Sequence, residues 1–448
     1  MRRRALSPPQ LLSVHIAGLV VVGGVLLSLP FAAAPGHDIS ALDAFFTSTS
    51  AVCVTGLVVR DTPVDFSIFG QVVILLLIQA GGLGYMTLTT MIATALGKRL
   101  TLQERMTLQE SLNVDSMEGL LRFALRVVKM TVAIEAAGAL ILTVRWAGEY
   151  GVGRALFLAT FHSVSAFNNA GFSLFSDSLV RYRGDVTVNL VVTSLIIAGG
   201  LGFVVLSEIG RIGRRRLPFS LHTRLVLSMT AVLLAGGMLA LYLLERNNPR
   251  TLGPLGGMET LLAVWFQAVS ARTAGFNTLN LGAFTPPALF LLMLLMFVGA
   301  SPGGTGGGVK TTTFGIALAA LWATIRRGHD VVVFGRRLPA DLVLRAFFVS
   351  LIGLLATNLV VGLLLISDGH DVMGTIFETT SAFGTVGLSV GHEDSVLSLV
   401  GHFSVAGKLL VALMMFIGRV GPLTLAVSLA ARAPATQIRY PEGKVLIG

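Results

Sequence analysis

Long apolar stretches alternate with short polar ones along the chain, and the lengths of the apolar stretches set what they can do. Leu11 to Ala34, Phe69 to Leu96, Val186 to Ile209, Leu225 to Leu244 and Leu342 to Ile366 each reach the roughly 20 helical residues needed to cross a hydrocarbon layer about 30 Å thick. Val127 to Val144, carrying Lys129 and Glu135, and Val405 to Ala431, carrying Lys408 and Arg419, are expected to span as well. The stretch from Pro287 to Thr324 is apolar at both ends but interrupted by Ser301-Pro302-Gly303-Gly304-Thr305-Gly306-Gly307-Gly308, which predicts two half-helices around an unwound loop. The pattern predicts an all-α membrane protein with eight transmembrane helices.

Between the crossings one phrase recurs: Phe46…Ser50-Ala51…Gly56-Leu57, Phe161…Ser165-Ala166…Gly171-Phe172, Phe266…Ser270-Ala271…Gly275-Phe276 and Phe377…Ser381-Ala382…Gly387-Leu388. Its glycines fall at roughly 110-residue intervals, which divides the chain into four units of outer helix, short pore helix, filter and inner helix arranged with pseudo-fourfold symmetry around one central pore. The units are 1–100, 101–216, 217–330 and 331–433, followed by a tail at 434–448. Predicted pore helices at Ser40 to Val52, Arg154 to Asn168, Met258 to Ala271 and Met373 to Phe383 are too short to span and dip partway instead. A helix carries about half a negative charge at its C-terminus, so four converging C-termini favour a cation and repel an anion.

After each pore helix comes a candidate filter: Val54-Thr55-Gly56, Asn169-Ala170-Gly171, Thr273-Ala274-Gly275 and Thr385-Val386-Gly387. Glycine permits positive backbone angles that turn successive carbonyl oxygens one way, where they replace an ion's hydration shell. The carbonyls of Thr55, Ala170, Ala274 and Val386 are assigned to the ion. The third copy departs slightly, with one residue fewer between Ser270 and Gly275 and a charged Arg272, which fits an anchor for the loop better than a pore lining.

The inner helices align at Gly81-Gly82-Leu83-Gly84, Gly199-Gly200-Leu201-Gly202, Val298-Gly299-Ala300-Ser301 and Ile417-Gly418-Arg419-Val420-Gly421, where glycine lets helices approach closely or bend. Two copies deviate. In the third, the loop Ser301, Gly303, Gly304, Thr305, Gly306, Gly307, Gly308 and Lys310 has backbone groups that cannot face lipid without a cost of several kcal/mol each, which places it under the filter as a gate. In the fourth, Arg419 stands where the others have Leu83, Leu201 and Ala300. A charge at mid-membrane costs at least about 2.5 to 3.5 kcal/mol and belongs in the cavity. There Arg419 holds the loop by its carbonyls, raises a barrier to cations, or ties two helices together, while Lys310 either gates or snorkels to the cytoplasmic face.

Composition agrees: 54% hydrophobic and 12% charged residues with a mean hydropathy of +0.80 cannot be hidden inside a soluble globule. Lys and Arg collect in alternate loops, around Arg2 to Arg4, Lys98 to Arg126, Arg211 to Arg224 and Arg326 to Arg345. These loops and both termini are therefore expected in the cytoplasm. The net charge of +10 is explained by those loops and predicts no nucleic-acid partner. The apolar run after Arg2-Arg3-Arg4 is long enough to be the first crossing rather than a cleaved signal. Cys53 is the single cysteine, so no internal disulfide forms. Enzyme chemistry finds no support: Val309 separates Gly308 from Lys310 and spoils a P-loop, the histidines form no metal-like spacing, and neither HExxH nor GxSxG occurs. A secondary transporter alternating access around the broken third inner helix is the competing expectation, and it predicts inverted rather than parallel repeats.

Four helix–pore–helix units, filters reading ThrGlyLeu, AlaGlyPhe, AlaGlyPhe and ValGlyLeu, a glycine-rich break in the third inner helix and Arg419 in the fourth resemble the Trk/Ktr/HKT superfamily of potassium transporters. Because the first span leads directly into the first pore loop, and because of the ending Tyr440-Pro441-Glu442-Gly443-Lys444-Val445-Leu446-Ile447-Gly448, the chain is most similar to the Ktr-type membrane subunit. The resemblance implies potassium uptake across the cell membrane, with K+ at the four carbonyls and Na+ as an activator. It further implies a homodimer on a cytosolic ring of RCK-type regulatory subunits that carry the nucleotide, and no cofactor in this chain. The family's filter glycines match Gly56, Gly171, Gly275 and Gly387; in the plant branch a serine at the first accompanies sodium preference, so Gly56 implies potassium.

Overall fold

The computed structural model describes residues 8–84, 120–212, 218–327, 330–391 and 397–422. Its helices are α1 (Pro8–Leu27), α2 (Ala41–Val52), α3 (Ile68–Leu83), α4 (Leu120–Tyr150), α5 (Val152–Phe167), α6 (Val186–Leu201), α7 (Phe203–Ile212), α8 (Leu221–Glu245), α9 (Gly257–Ser270), α10 (Pro286–Phe297), α11 (Thr311–Ile325), α12 (Ala340–Ser367), α13 (Val372–Gly384) and α14 (Val405–Val420). A small hairpin pairs Val332–Val333 with Arg336–Arg337. Among the described residues, 4 helices (α1, α4, α8 and α12) are long and apolar enough to cross a membrane, or up to 5 if the bent pair α6–α7 counts as one span.

Each long helix is followed by a short one and then by an apolar one, and the starts of these elements are written locally. Ser40 and Asp371 cap α2 and α13 by accepting from Asp43 N and Gly374 N. Ser67, Asp185 and Ser404 cap α3, α6 and α14 in the same way, each satisfying one of the orphan donors of a helix N-terminus. The third copy uses another device, with proline in the first turn of α10, where the missing N–H costs no hydrogen bond. The short helices carry the buried phenylalanines Phe46, Phe161, Phe266 and Phe377. Leucine-rich faces such as Leu239, Leu244, Leu355 and Leu359 point outward. Inside a bilayer that arrangement is held by close packing rather than by exclusion of water.

The ends of the apolar helices depart from the sequence expectation. The run from Val186 to Ile209 is not one straight span: it bends by 105° between α6 and α7, at Gly202 with φ 93°. α3 stops before Gly84 (φ 74°) and α14 before Gly421 (φ 93°), so three aligned glycines all take a backbone angle that other residues rarely adopt. The first span also ends earlier, at Leu27, with a 3-10 turn at Pro30–Ala32 after it. The second outer helix is longer than its apolar run because it extends through Trp146, Glu149 and Tyr150. The expected continuations to Leu96 and Ala431, and the tail Tyr440 to Gly448, lie outside the described residues.

Candidate functional site

The C-termini of the four short helices lead into segments of matching conformation. In each, a residue one to three places past the helix end takes a left-handed angle, at Val54 (φ 56°), Asn169 (59°), Thr273 (71°) and Thr385 (49°). The glycine two positions on does so again, at Gly56 (93°), Gly171 (70°), Gly275 (80°) and Gly387 (89°). The residue between them donates its N–H to the serine carbonyl of the repeated phrase: Thr55 to Ser50 at 2.8 Å, Ala170 to Ser165 at 2.8 Å, Ala274 to Ser270 at 2.9 Å and Val386 to Ser381 at 2.9 Å. The serine hydroxyls hold the far side of the glycine, Ser50 and Ser381 by accepting from Gly56 N (3.0 Å) and Gly387 N (3.1 Å). Ser165 and Ser270 do so by donating to Phe172 O and Phe276 O.

These segments close on one another in a circle. A methyl group on Gly56 would collide with Ala170 O, and one on Gly171 would lie 3.0 Å from Ala274 O. One on Gly275 would collide with Val386 O, and one on Gly387 with Thr55 O. The four glycines and the four carbonyls singled out from the sequence are thus brought together, each glycine against the carbonyl of the next segment. The close fit leaves no room for a side chain, and the negative φ of other residues would break the turn. Left-handed β-branched residues at Val54, Thr273 and Thr385 are costly, of order 1–3 kcal/mol each. The sequence places these residues in the filter but not their left-handed angle, because a valine or threonine two before glycine carries no visible sign of it.

On one side of the circle a vestibule of about 400 Å³ opens, lined by the four glycines together with Asp61, Ser176 and Asp177. Asp61 accepts from Ser176 Oγ at 2.6 Å. Burial pushes its carboxyl above the usual carboxylate range, the Ser176 bond opposes that shift, and the neighbouring Asp65 charge adds to it. Asp177 is instead engaged by Arg181 at 2.8 Å.

On the other side lies the glycine-rich loop. It starts where α10 ends and returns to α11, with Val298 bridged to Val309 and Ser301 Oγ 2.8 Å from Thr311 Oγ1. Its backbone is tied to surrounding elements: Ser301 N to Gly200 O (2.9 Å), Thr305 N to Gly199 O (3.1 Å), Gly308 N to Gly418 O (3.3 Å), and Phe203 N back to Gly303 O (2.9 Å). Thr305 Oγ1 donates to Phe167 O at 3.2 Å and Gly307 N to Thr385 Oγ1 at 2.9 Å. A side chain at Gly306 would strike Thr273 Oγ1. The loop therefore sits directly beneath the short-helix ends, with Gly304 packed against Gly199 and Gly200 of α6.

Arg419 reaches across this space and donates to Thr305 O and Gly81 O, joining α14, the loop and α3. Lys310 turns back onto the loop, with Nζ 2.5 Å from Gly306 O. Both line a cavity of about 160 Å³ with Gly81, Gly303 and Gly304. Arg272 does not join them. It is buried beside Thr230, Gly200 and Ala300, behind the third segment, and its Nε has no hydrogen-bond partner among the described residues. Cys53 is buried and unpaired at the end of the first short helix. Among the described residues no group of three or more His, Cys, Asp or Glu could hold a metal ion.

The inner-helix glycines explain why the elements come so close. A side chain at Gly81 would collide with Val52 O, at Gly199 with Phe167 O and at Gly418 with Phe383 O, so in the first, second and fourth copies the inner helix rests directly on the carbonyl end of its short helix. That end carries the negative pole of the helix, and the ring of carbonyls continues it. Such a site suits a positive ion of modest charge and offers nothing to an anion.

Known proteins match this chain through most of their length. The TrkH family, described as cation transport proteins, matches residues 21–439. The Ktr system potassium uptake protein B of Bacillus subtilis is 43% identical over 442 residues, 99% of this chain and 97% of its own. The protein of that name from Vibrio alginolyticus is 40% identical over 98% of this chain and 95% of its own. The potassium/sodium uptake protein NtpJ of Enterococcus hirae is 37% identical over 100% and 98%. Among solved structures, the potassium transporter TrkH from Vibrio parahaemolyticus shares the fold, with a TM-score of 0.72, 19% identity and coverage of 96% of this chain and 86% of that one. The family match over residues 21–439 and these relatives show that the chain belongs to the TrkH family of cation transport proteins.

Proposed function

We propose that this protein takes up potassium across the cell membrane through the circle formed at Gly56, Gly171, Gly275 and Gly387, as an ion pathway and not an enzyme. The observation that carries the reading is the cyclic contact of each glycine with the carbonyl of the next segment, which gathers Thr55, Ala170, Ala274 and Val386 oxygens about one axis where they replace water around a monovalent cation. Potassium is favoured because two relatives that align with nearly the whole chain are named potassium uptake proteins. The potassium/sodium naming of a third supports sodium as an activator. The surrounding scaffold is read as four units with eight crossings, divided at residues 100, 216, 330 and 433, with both termini in the cytoplasm.

The gate in this reading is the loop from Ser301 to Lys310, held shut by Arg419 and Lys310 through its carbonyls. Because the naming of the relatives as parts of a Ktr system points to a second component, we assign the opening force to a cytosolic nucleotide-binding RCK-type ring acting on a homodimer of this chain. Replacing Gly56 with Ser tests the core of the proposal. In reconstituted protein the substitution should lower the preference for rubidium over sodium by about tenfold or more, as expected when one of four coordinating segments is displaced; an unchanged preference would remove the filter from its assigned place.

A further inference from the structure

The residue that follows each repeated phenylalanine is polar and buried: Thr47, His162, Gln267 and Glu378 are all 3% exposed or less. This position lies behind the glycine segments and has no part in the ring or the loop. Buried polar groups inside a membrane are expensive unless they are bonded, so the partners of the two ionisable ones indicate what they hold.

His162 donates through Nδ1 to Leu158 O at 2.8 Å, which leaves Nε2 as an acceptor, and Nε2 lies 3.0 Å from Ser173 Oγ. The imidazole is fixed by stacking on Phe175 (4.8 Å) and by the edge of Trp146 (5.3 Å). Ser173 is two residues past Gly171, and its hydroxyl in turn accepts from Phe175 N at 2.9 Å. Two copies later a different acid–base group stands at the same place. Glu378 accepts from Val400 N at 3.0 Å through one oxygen, while its Oε2 has no hydrogen-bond partner among the described residues, so its hold on Ser389, two residues past Gly387, runs through the adjoining Leu399. Ser389 Oγ accepts from Gly391 N (3.1 Å) and Leu399 N (2.9 Å).

The first and third segments are held at the same place from their neighbours. Val58 N donates to Ser398 Oγ at 3.0 Å and Asn277 N to Ser178 Oγ at 3.2 Å. Ser178 follows Ser173 in the second copy, and Ser398 adjoins Leu399, whose N–H holds Ser389 in the fourth, so the two braces reach all four sides of the vestibule.

We infer that His162 and Glu378 are positioning residues that set the outer mouth of the ion circle, His162 by fixing Ser173, two places beyond Gly171, and Glu378 by fixing Val400, beside the Leu399 and Ser398 that hold Ser389 and Val58. The inference rests on the potassium-uptake reading. Neither side chain touches the vestibule glycines; each acts on them through a serine. Such a role governs how well an ion fits, not how many molecules fold.

Rubidium uptake into liposomes containing the full chain tests this with His162→Leu and Glu378→Leu against His162→Gln and Glu378→Gln, scoring KM, maximal rate and rubidium-over-sodium preference, with thermal unfolding as a fold control. Loss of one positioning bond should raise KM and lower the preference by about tenfold in the leucine variants, with maximal rate less affected and glutamine restoring most of both. Folded leucine variants with unshifted KM and preference would overturn the inference, as would a loss of maximal rate alone. Where a leucine variant does not fold, Ser173→Ala and Ser389→Ala decide: the same shifts support the inference and wild-type values overturn it. A wild-type chain that takes up no rubidium would overturn the transport reading and this inference with it, whereas wild-type uptake with unshifted variants overturns this inference alone.

Discussion

At the scale of single residues, the chain spends its unusual conformations where it brings backbone atoms together. Val54 and Thr385 are β-branched and left-handed, and the serine bonds behind them supply the compensation. Asp61 is the vestibule carboxylate without an ion pair among the described residues, whereas Asp177 has Arg181 and Asp65 has His37. Its carboxyl is raised by burial and by Asp65, so on acidification it takes a proton before an ordinary carboxylate does. The negative potential that concentrates cations at the mouth therefore weakens first through Asp61. The KM for rubidium should rise on acidification, beginning at a higher pH than an ordinary carboxylate would give, and Asp61→Asn should flatten that rise while leaving ion preference unchanged. Uptake titrations of the two proteins at several pH values check it.

At the scale of elements, the outcome turns on what apolar periodicity can and cannot encode. The short helices were legible because Phe and Ser-Ala recur at fixed spacing, whereas the caps Ser40 and Asp371 emerge only from the structure. The bend at Gly202 was not, since Leu201, Gly202 and Phe203 continue an unbroken apolar run, and only the loop carbonyl of Gly303 accepting from Phe203 N distinguishes a corner from a span. The loop itself was legible from its glycines, which no lipid-facing helix would contain in such density. Its fastening was only half legible: an arginine at mid-membrane announces a partner, but not which carbonyls. Removing the guanidinium by Arg419→Ala frees Thr305 O and Gly81 O and should raise basal rubidium leak severalfold in the absence of any partner, a loss of two charge-assisted bonds being worth about 3 kcal/mol or more. Flux through liposomes of the purified variant measures it, and a tighter seal would contradict the assigned role of the loop.

At the scale of the whole molecule, the first and last quarters meet through charge. Asp43 of α2 accepts from Lys408 Nζ of α14 at 3.1 Å and from Arg60 at 2.9 Å; Asp43 is 6% and Lys408 14% exposed at the side chain. No local pattern reveals a pair separated by 365 positions, and the sequence reading had placed Lys408 only as a charge inside a span. Breaking a buried pair strands its partner, so Asp43→Ala should destabilise the protein by about 3 kcal/mol, at the lower end for such pairs because Arg60 is 36% exposed. Thermal unfolding in detergent at fixed protein concentration provides the comparison. Val58 and Ser398 reinforce the same seam.

That seam has a consequence for how the protein is made. The carbonyl of Thr55 waits for Gly387, so the circle stays open until the ribosome has delivered nearly the entire polypeptide and the final quarter has been inserted. A chain that ends before Gly387 lacks one of the four contacts that close the ring, so the last quarter of the sequence completes the ring and the Asp43–Lys408 seam together.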